Sequence, residues 1–291
     1  MPDRLLIVTA DDFGLSLEVN EAVEAAHRRG ILTCASLVVA GAAAEDAIRR
    51  AKAMPDLGVG LHLALVDAPP ALPPGEIPDL VDERGALTLN PAGVGTKIAF
   101  SRRARDEARA EVRAQFEAFR RSGLALDHVD GHWHFHQHPA ITDLIVELAP
   151  EYGVKAVRTP NEPALASWRA AGRRGLAART ATALGHAPLW ARLRRRLTAA
   201  GIATNDWFFG LNDGGAMDAG QLARTIANLP PGASEIGLHP AAAPPPAPHA
   251  PPAAWRLVDE MNGLMAPEVR EAARAVRLGR FCDLPAWRRA A

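Results

Sequence analysis

Two adjacent aspartates, Asp11 and Asp12, close the first apolar run of the sequence, which begins at Leu5. A charged group without a partner is costly to bury, so two carboxylates at the end of a core strand point to a function. Neighbouring side chains on a strand point in opposite directions, so both reach one site only if the backbone turns there. Gly14 in "DDFG" supplies a flexible residue for such a turn. We expect one carboxylate to bind a cation and the other to accept a proton.

Histidines are the second group of candidate residues. Five of the ten lie in the segment "HVDGHWHFHQH": His128, His132, His134, His136 and His138. If this segment is extended, the last four project from one side. A solvated, compositional run of histidines is the alternative. Two further histidines, His62 in "GVGLHLAL" and His239 in "EIGLHP", belong to apolar runs. Each taken alone is compatible with a core histidine that has found a hydrogen-bond partner.

The elements that must position these groups alternate between short apolar runs and segments with apolar residues at helical spacing. Apolar runs begin at Leu5, Cys34 and Leu57, and helix-period segments follow the first two. Residues 102–122 predict an amphipathic helix. This alternation predicts parallel strands joined by right-handed crossovers. We therefore predict an α/β fold, a distorted (β/α) TIM-like barrel, with residues 1–291 in a single domain.

In a parallel barrel the carboxyl ends of the strands meet at one mouth, so residues far apart in the sequence share a pocket. Asp12, His62 and His132 would then form a set of two histidines and one carboxylate with open coordination positions. Such a set suits a divalent metal, with zinc, magnesium and manganese all compatible. A metal there lowers the pKa of a bound water toward about 7 and polarises a carbonyl oxygen. With His239 placed to protonate a leaving amine, the pattern predicts metal-assisted hydrolysis.

Residues 163–201 interrupt the alternation of strands and helices. No acidic residue lies between Glu162 and Asp206, whereas eight arginines lie there among leucines and the tryptophans Trp168 and Trp190. A basic, tryptophan-containing amphipathic helix is typical of a segment that lies on a membrane surface. A solvated helical insertion with its apolar face against the barrel is the alternative.

Charge and termini limit the partners that we expect. Lys plus Arg and Asp plus Glu both total 33, so no overall charge favours a nucleic-acid partner. The N-terminus "MPDRLLIV" lacks the features of a signal peptide, and no segment reaches the roughly 18 apolar residues of a membrane span. We expect a cytoplasmic protein that contacts the inner face of the membrane through residues 163–201. A homodimer is compatible with the sequence. The run "PAAAPPPAPHAPP" from Pro240 predicts a polyproline-like loop.

Five motifs follow one another across nearly the whole chain: "LLIVTADDFGLS", "VGLHLAL", "DHVDGHWHFHQHP", "VRTPNEP" and "GLHP". Together they resemble the motifs of the YdjC-like carbohydrate deacetylase family. The resemblance implies a distorted (β/α) barrel, one divalent metal ion, and hydrolysis of the N-acetyl group of an N-acetylated amino sugar with release of acetate. By position it implies metal binding by Asp12, His62 and His132. It also implies that Asp11 is the catalytic base and His239 the general acid.

Loop motifs including "SLVVAGAAAEDAI" and "DWFFGLNDGGAM" resemble the hopanoid-biosynthesis-associated branch of that family. This resemblance implies an N-acetylglucosaminyl hopanoid, a glycolipid, as substrate, and it would explain a membrane-facing segment at 163–201. Arg158 in "VRTP" resembles either a residue that orients the base or a substrate contact. Trp133, His134 and His136 are further candidate substrate contacts, and the Trp133 ring could stack on a sugar or pack in the core.

Three other functions fit the same residues. The first is deacetylation of soluble chitooligosaccharides. The second is a metal-dependent barrel isomerase or aldolase that acts on a sugar, which would release no acetate. The third is a non-catalytic binding protein that retains a metal for structure. The presence of both Asp11 and His239 beside an open metal site argues against this last function.

Overall fold

A computed structural model describes residues 4–245 and 252–290. The polyproline-like loop predicted from Pro240 falls partly on residues 246–251, which lie outside the described residues. The described strands are β1 (Arg4–Phe13), β2 (Cys34–Leu37), β3 (Gly58–Leu63), β4 (Val129–Gly131), β5 (Trp207–Phe209), β6 (Gly232–Leu238) and β7 (Arg277–Leu278). The described α-helices are α1 (Leu17–Arg29), α2 (Ala44–Lys52), α3 (Pro91–Phe100), α4 (Arg102–Ser122), α5 (Pro139–Tyr152), α6 (Ala164–Ala170), α7 (Leu176–Ala199), α8 (Ala219–Ala227), α9 (Leu257–Met265), α10 (Pro267–Ala273) and α11 (Leu284–Ala290).

The strands pair in parallel in the order β4-β3-β2-β1-β6-β5. The short β7 pairs with Leu5 and Leu6 at the start of β1, whereas β2 pairs with the second half of β1. The apolar run from Leu5 to Val8 is fully buried. Parallel strands that are covered on both faces require such continuous apolar runs. The predicted α/β fold with parallel strands is confirmed.

Isolated bridges extend the pairing beyond β4. Val129 pairs in parallel with Val157, and Ala156 pairs in parallel with Ala203, which lies just before β5. The sheet curls into a half-barrel, and these bridges lie between its two edge strands. This arrangement agrees with the predicted TIM-like class, in which the carboxyl ends of the strands gather at one mouth.

Helix α4 shows how local chemistry sets the limits of an element. At its start, the Ser101 hydroxyl oxygen accepts the N–H of Ala104, which satisfies one of the first unpaired amides of the helix. At its end, Gly123 adopts a left-handed conformation with a φ of 74°. Glycine is the usual residue at this position because it has no Cβ to clash. The prediction of a helix over 102–122 is confirmed.

The histidine-rich segment differs from its prediction. β4 ends at Gly131, and residues 132–137 form two short 3₁₀ segments joined at a kink in place of a continued strand. Trp133 and His134 both have a φ of 53°, in the left-handed region, so the backbone changes direction after β4. The prediction that the alternate histidines project from one side of an extended segment is therefore wrong.

Residues 163–201 contain α6 and α7. Helix α7 connects the paired residues Ala156 and Ala203, in the place of a crossover helix, and packs against α5. Arg192 and Arg196 of α7 each form a 2.7 Å ion pair with Asp143 of α5. Part of the positive charge is thus neutralised within the molecule. Among the described residues, no helix combines the length and the apolar composition that crossing a membrane requires.

Candidate functional site

A β-bulge explains how two adjacent aspartates reach one site. Between Ala10 and Phe13, β1 advances three residues while its partner β2 advances two. The bulge contains Asp11 and Asp12, and Asp12 has a left-handed φ of 65°. Bulges change the direction of side chains, and aspartate tolerates this conformation better than bulky residues do. The sequence predicted that the strand would end at the aspartates, with the turn supplied by Gly14, but the strand continues to Phe13 and the backbone turns first at Asp12.

The structure brings together the three residues that were expected to bind a metal. Oδ1 of Asp12 lies 3.0 Å from Nδ1 of His132 and 3.5 Å from Nε2 of His62. One ligand atom from each residue lies within 4.8 Å of the others. Oδ1 of Asp12 is buried and has no hydrogen-bond partner of suitable geometry among the described residues. This convergence of one unpaired carboxylate oxygen and two imidazole nitrogens fits a divalent metal ion.

Electrostatics at this cluster keep the carboxylate ionised. Burial disfavours the charged form of Asp12, but the neighbouring histidines, His132 first, hold the pKa of Asp12 well below its usual range. Burial also disfavours a charged His62, yet the nearby carboxylates, Asp130 first, raise the pKa of His62 to about 9. Since a histidine must be neutral to bind a metal, binding at neutral pH displaces this proton.

Asp130 orients His62. One of its oxygens accepts Nδ1–H of His62 at 2.8 Å, and the other accepts the Ser36 hydroxyl at 2.7 Å. Such a carboxylate fixes the tautomer of a metal-binding histidine, here leaving Nε2 for the cluster. The sequence reasoning missed Asp130, which is fully buried in β4. Its position two residues before His132, in a segment that the sequence predicts to be extended, was the available signal, because alternate residues of an extended segment share a face.

Arg158 is fully buried and holds the other aspartate of the bulge. Its NH1 donates to Oδ2 of Asp11 at 2.7 Å and its NH2 to Oδ1 at 2.8 Å. Its Nε and NH2 also donate to Oε1 of Glu235, at 2.9 and 2.7 Å. His136, which is 1% exposed, donates Nε2–H to the Arg158 carbonyl. Of the two roles expected for Arg158, this geometry favours orientation of the base over contact with a substrate. His136 is buried against the backbone of Arg158, so its side chain is not exposed to a substrate.

The two aspartates therefore have different surroundings. Both oxygens of Asp11 accept hydrogen bonds from Arg158, whereas Oδ1 of Asp12 faces the His132 and His62 nitrogens without a hydrogen bond of suitable geometry among the described residues. A carboxylate oxygen has two acceptor sites, so Asp11 retains the capacity to accept a further proton. This difference favours Asp12 as the ligand and Asp11 as the base.

His239 follows β6 on the opposite side of β1 from β2 and is held through its backbone. Its N–H donates to Oε2 of Glu260 at 2.7 Å, and Oε1 of Glu260 accepts the N–H of Met217 at 3.1 Å. The His239 ring lies 4.4 Å from the Trp255 ring, and its Nδ1 has no partner among the residues that the structure describes. Burial lowers the pKa of His239 and raises the pKa of Glu260 to about 7. Glu260 was not found from the sequence, where it appears as an ordinary helix residue.

Two further candidate contacts lie in the turn after β4. Trp133 is 51% exposed, its ring lies 6.4 Å from that of His132, and its Nε1 donates to Asp67 at 3.3 Å. The ring is therefore outside the core and available for stacking. His134 is half-buried with its ring 5.1 Å from Phe208, and burial holds the pKa of His134 well below its usual range.

Several proteins named carbohydrate deacetylase are similar to this chain. That of Mus musculus is 31% identical over 307 residues, covering 99% of this chain and 97% of that protein. That of Brevibacillus brevis is 40% identical over 155 residues, and that of Geobacillus stearothermophilus is 37% identical over 158 residues. These two alignments cover 53% and 54% of this chain and 59% and 61% of the relatives. The chain thus spans about 60% of the length of these bacterial relatives.

A solved structure and a family model complete the comparison. The crystal structure of a candidate cellobiose-phosphate cleavage protein from Enterococcus faecalis V583 aligns with a TM-score of 0.70, covering 96% of this chain and 97% of that chain. At 23% sequence identity this similarity shows the fold alone. The family model described as YdjC-like protein matches residues 5–275. The chain therefore belongs to the YdjC-like protein family.

Proposed function

We propose that the protein hydrolyses the N-acetyl group of an N-acetylated amino sugar and releases acetate. The observation that carries this proposal is the convergence of Asp12, His62 and His132 beside a second carboxylate, Asp11, that Arg158 holds in place. The similar mouse and bacterial proteins are named carbohydrate deacetylases, which supports a carbohydrate substrate that carries an acetyl group.

Asp12, His62 and His132 would hold one divalent metal ion, for which zinc, magnesium and manganese are the candidates. When bound, such an ion lowers the pKa of water and polarises a carbonyl oxygen. Asp130 maintains the orientation of His62 through its 2.8 Å hydrogen bond, so that the ligand nitrogen remains directed at the cluster.

The remaining residues move protons and position the sugar. Asp11 accepts a proton from the attacking water through a lone pair that Arg158 does not use. As the amide C–N bond breaks, protonated His239 gives its proton to the departing amine. Asp11 then releases the proton that it took from water and His239 takes up a proton again, so both groups return to their starting states. The products are acetate and the free amino sugar. Trp133 offers its exposed ring face to a sugar ring, and Arg158 keeps the base in one orientation throughout.

The finer substrate in this proposal is an N-acetylglucosaminyl hopanoid, supported by the loop motifs that resemble that branch. Peripheral contact with a membrane would be made by α6 and α7. Leu165, Leu176 and Leu184 are 50%, 41% and 70% exposed there. Arg195 is also exposed, unlike the arginines that pair with Asp143. Exposed apolar residues beside basic residues suit an anionic membrane surface.

Mass spectrometry of the products tests the proposed function. Purified protein is incubated with a soluble N-acetylated chitobiose and with an N-acetylglucosaminyl hopanoid, and loss of the acetyl group is measured together with acetate. We expect deacetylation that a chelator abolishes and an added divalent metal restores. Release of no acetate from either substrate contradicts the proposal, and an isomerised sugar would favour the isomerase. Activity on the chitobiose alone contradicts only the glycolipid substrate.

A further inference from the structure

The long loop after β3 forms a cleft beside Trp133. The cleft has a volume of about 320 Å³ and lies within residues 67–89. Its alanine, proline and leucine lining residues are Ala68, Pro69, Pro70, Ala86, Leu87 and Leu89. Leu89 is 62% exposed. An exposed large apolar side chain in a cleft, unlike one on a flat surface, is a feature of a ligand site.

Two charged side chains line this cleft, Asp67 and Arg84, and each has one hydrogen-bonded partner residue. Oδ2 of Asp67 accepts the N–H of the Trp133 indole at 3.3 Å. Arg84 donates to Oδ2 of Asp82 through NH2 and Nε, at 2.9 and 3.1 Å. Six of the nine lining residues are alanine, proline or leucine, so an apolar group that binds there is covered mainly by apolar surface. The lining therefore suits an apolar group better than a second sugar ring.

Trp133 connects this cleft with the candidate metal centre. Its ring lies 6.4 Å from that of His132, and its indole nitrogen binds the Asp67 carboxylate at the cleft. Trp133 and Asp67 have left-handed φ values of 53° and 49°. Non-glycine residues rarely adopt this conformation, and such strain collects at functional sites. A sugar that stacks on Trp133 with its acetamide at the metal centre would direct its linked group toward the cleft.

We propose that this cleft binds an apolar group attached to the amino sugar. The proposal rests on the proposed function, since the acetamide must lie at the metal centre for the linked group to reach the cleft. Transfer of methylene groups from water to the surfaces of Pro69, Pro70 and Leu89 supplies the binding free energy. Binding of the apolar group should lower KM and leave kcat unchanged, because the cleft contacts this group equally in the bound substrate and in the transition state.

A series of alkyl N-acetylglucosaminides tests this proposal. Acetate release from the methyl, butyl and octyl compounds is measured with the metal-loaded protein, below the concentration at which the compounds form micelles. We expect KM to fall roughly two- to fourfold for each methylene that enters the cleft, with kcat nearly constant. Leu89→Asp should remove the dependence of KM on chain length, because a charge in the cleft opposes burial of the alkyl chain.

The matched control is Leu278→Asp, which places the same charge on another exposed leucine. Leu278 pairs with Leu6 near the amino end of β1, away from the mouth of the sheet. This variant should retain the chain-length dependence. A KM that does not depend on chain length, or the same dependence in Leu89→Asp, overturns the cleft proposal. Chitobiose provides a second test. If its KM is lower than that of the octyl compound and rises in Leu89→Asp, the cleft is a sugar site and the proposal of an apolar ligand is overturned. Absence of acetate from every compound instead contradicts the proposed function.

Discussion

Arg158 and Asp11 form a double hydrogen bond in the interior, with NH1 to Oδ2 at 2.7 Å and NH2 to Oδ1 at 2.8 Å. Paired, charge-assisted hydrogen bonds of this kind fix the plane of a carboxylate as well as its position. Asp12, the next residue, has one buried oxygen that lies 3.0 Å from Nδ1 of His132 but makes no hydrogen bond of suitable geometry with a described residue. Two neighbours with the same side chain are thereby suited to different tasks.

Asp11→Asn should abolish turnover while leaving metal binding intact. Loss of a general base lowers kcat by about 10²- to 10⁴-fold, and the ligand Asp12 is unchanged. Acetate release and the metal content of the purified variant are the measurements. Asp12→Asn is the comparison and should lose metal. If Asp11→Asn loses the metal and Asp12→Asn keeps it, the two roles are reversed.

Arg158→Met should lower the free energy of unfolding by about 3–5 kcal/mol, because it leaves the buried carboxylates of Asp11, Asp130 and Glu235 without this counter-charge. Arg192→Met removes the same charge from a partly exposed ion pair with Asp143. This variant should lower the free energy of unfolding by less than about 1 kcal/mol. Urea denaturation of both variants measures the difference. Equal losses would show that the interior charge of Arg158 has no special structural role.

Asp130→Asn should weaken metal binding about 10- to 100-fold with the fold retained, because the hydrogen bond that orients His62 is altered. Asp127→Asn is a matched control. Asp127 is also buried and pairs with a histidine, but that residue is His128, which lies outside the proposed ligand set. Calorimetric titration with zinc measures both affinities, and equal affinities for the two variants would remove Asp130 from the site.

Glu260 should make stability depend on pH. Burial raises the pKa of Glu260 from 4.5 to about 7, so the folded state binds more protons than the unfolded state between these values. The free energy of unfolding therefore falls by about 3 kcal/mol as pH rises from below 4.5 to above 7. Glu260→Gln should match the wild type at acidic pH and exceed it at pH 8, as measured by urea denaturation. The exposed Glu268→Gln should leave the pH dependence unchanged. A parallel pH dependence in Glu260→Gln would contradict the assignment.

Arg195→Gln should weaken binding to anionic vesicles by about fivefold at low salt, since each basic residue near such a surface contributes about 1 kcal/mol. The effect should diminish as salt is added. Arg192→Gln should have a smaller effect, because its charge is paired with Asp143. Co-sedimentation with vesicles is the measurement. Unchanged binding in Arg195→Gln would leave α7 as a helix that serves the fold alone.

Much of the fold follows from local patterns. The apolar run from Leu5 and the helix over 102–122 were predicted because burial and helical periodicity act over a few residues. The bulge at Asp12 and the 3₁₀ turn after Gly131 were not predicted. Both depend on register with neighbouring strands and on left-handed residues other than glycine, for which the sequence carries no strong signal.

The sequence by itself determined the kinds of chemistry available at the strand ends, including the set of Asp12, His62 and His132. Only the tertiary structure decided which other side chains surround each of these groups. Arg158 pairs with Asp11 across 147 positions of the chain, and Asp130 pairs with His62 across 68. Hydrogen bonds between such distant residues depend on which strands become neighbours and in what register. Spacing along the chain cannot specify them, because they form only once the strands of the sheet have paired in their final register.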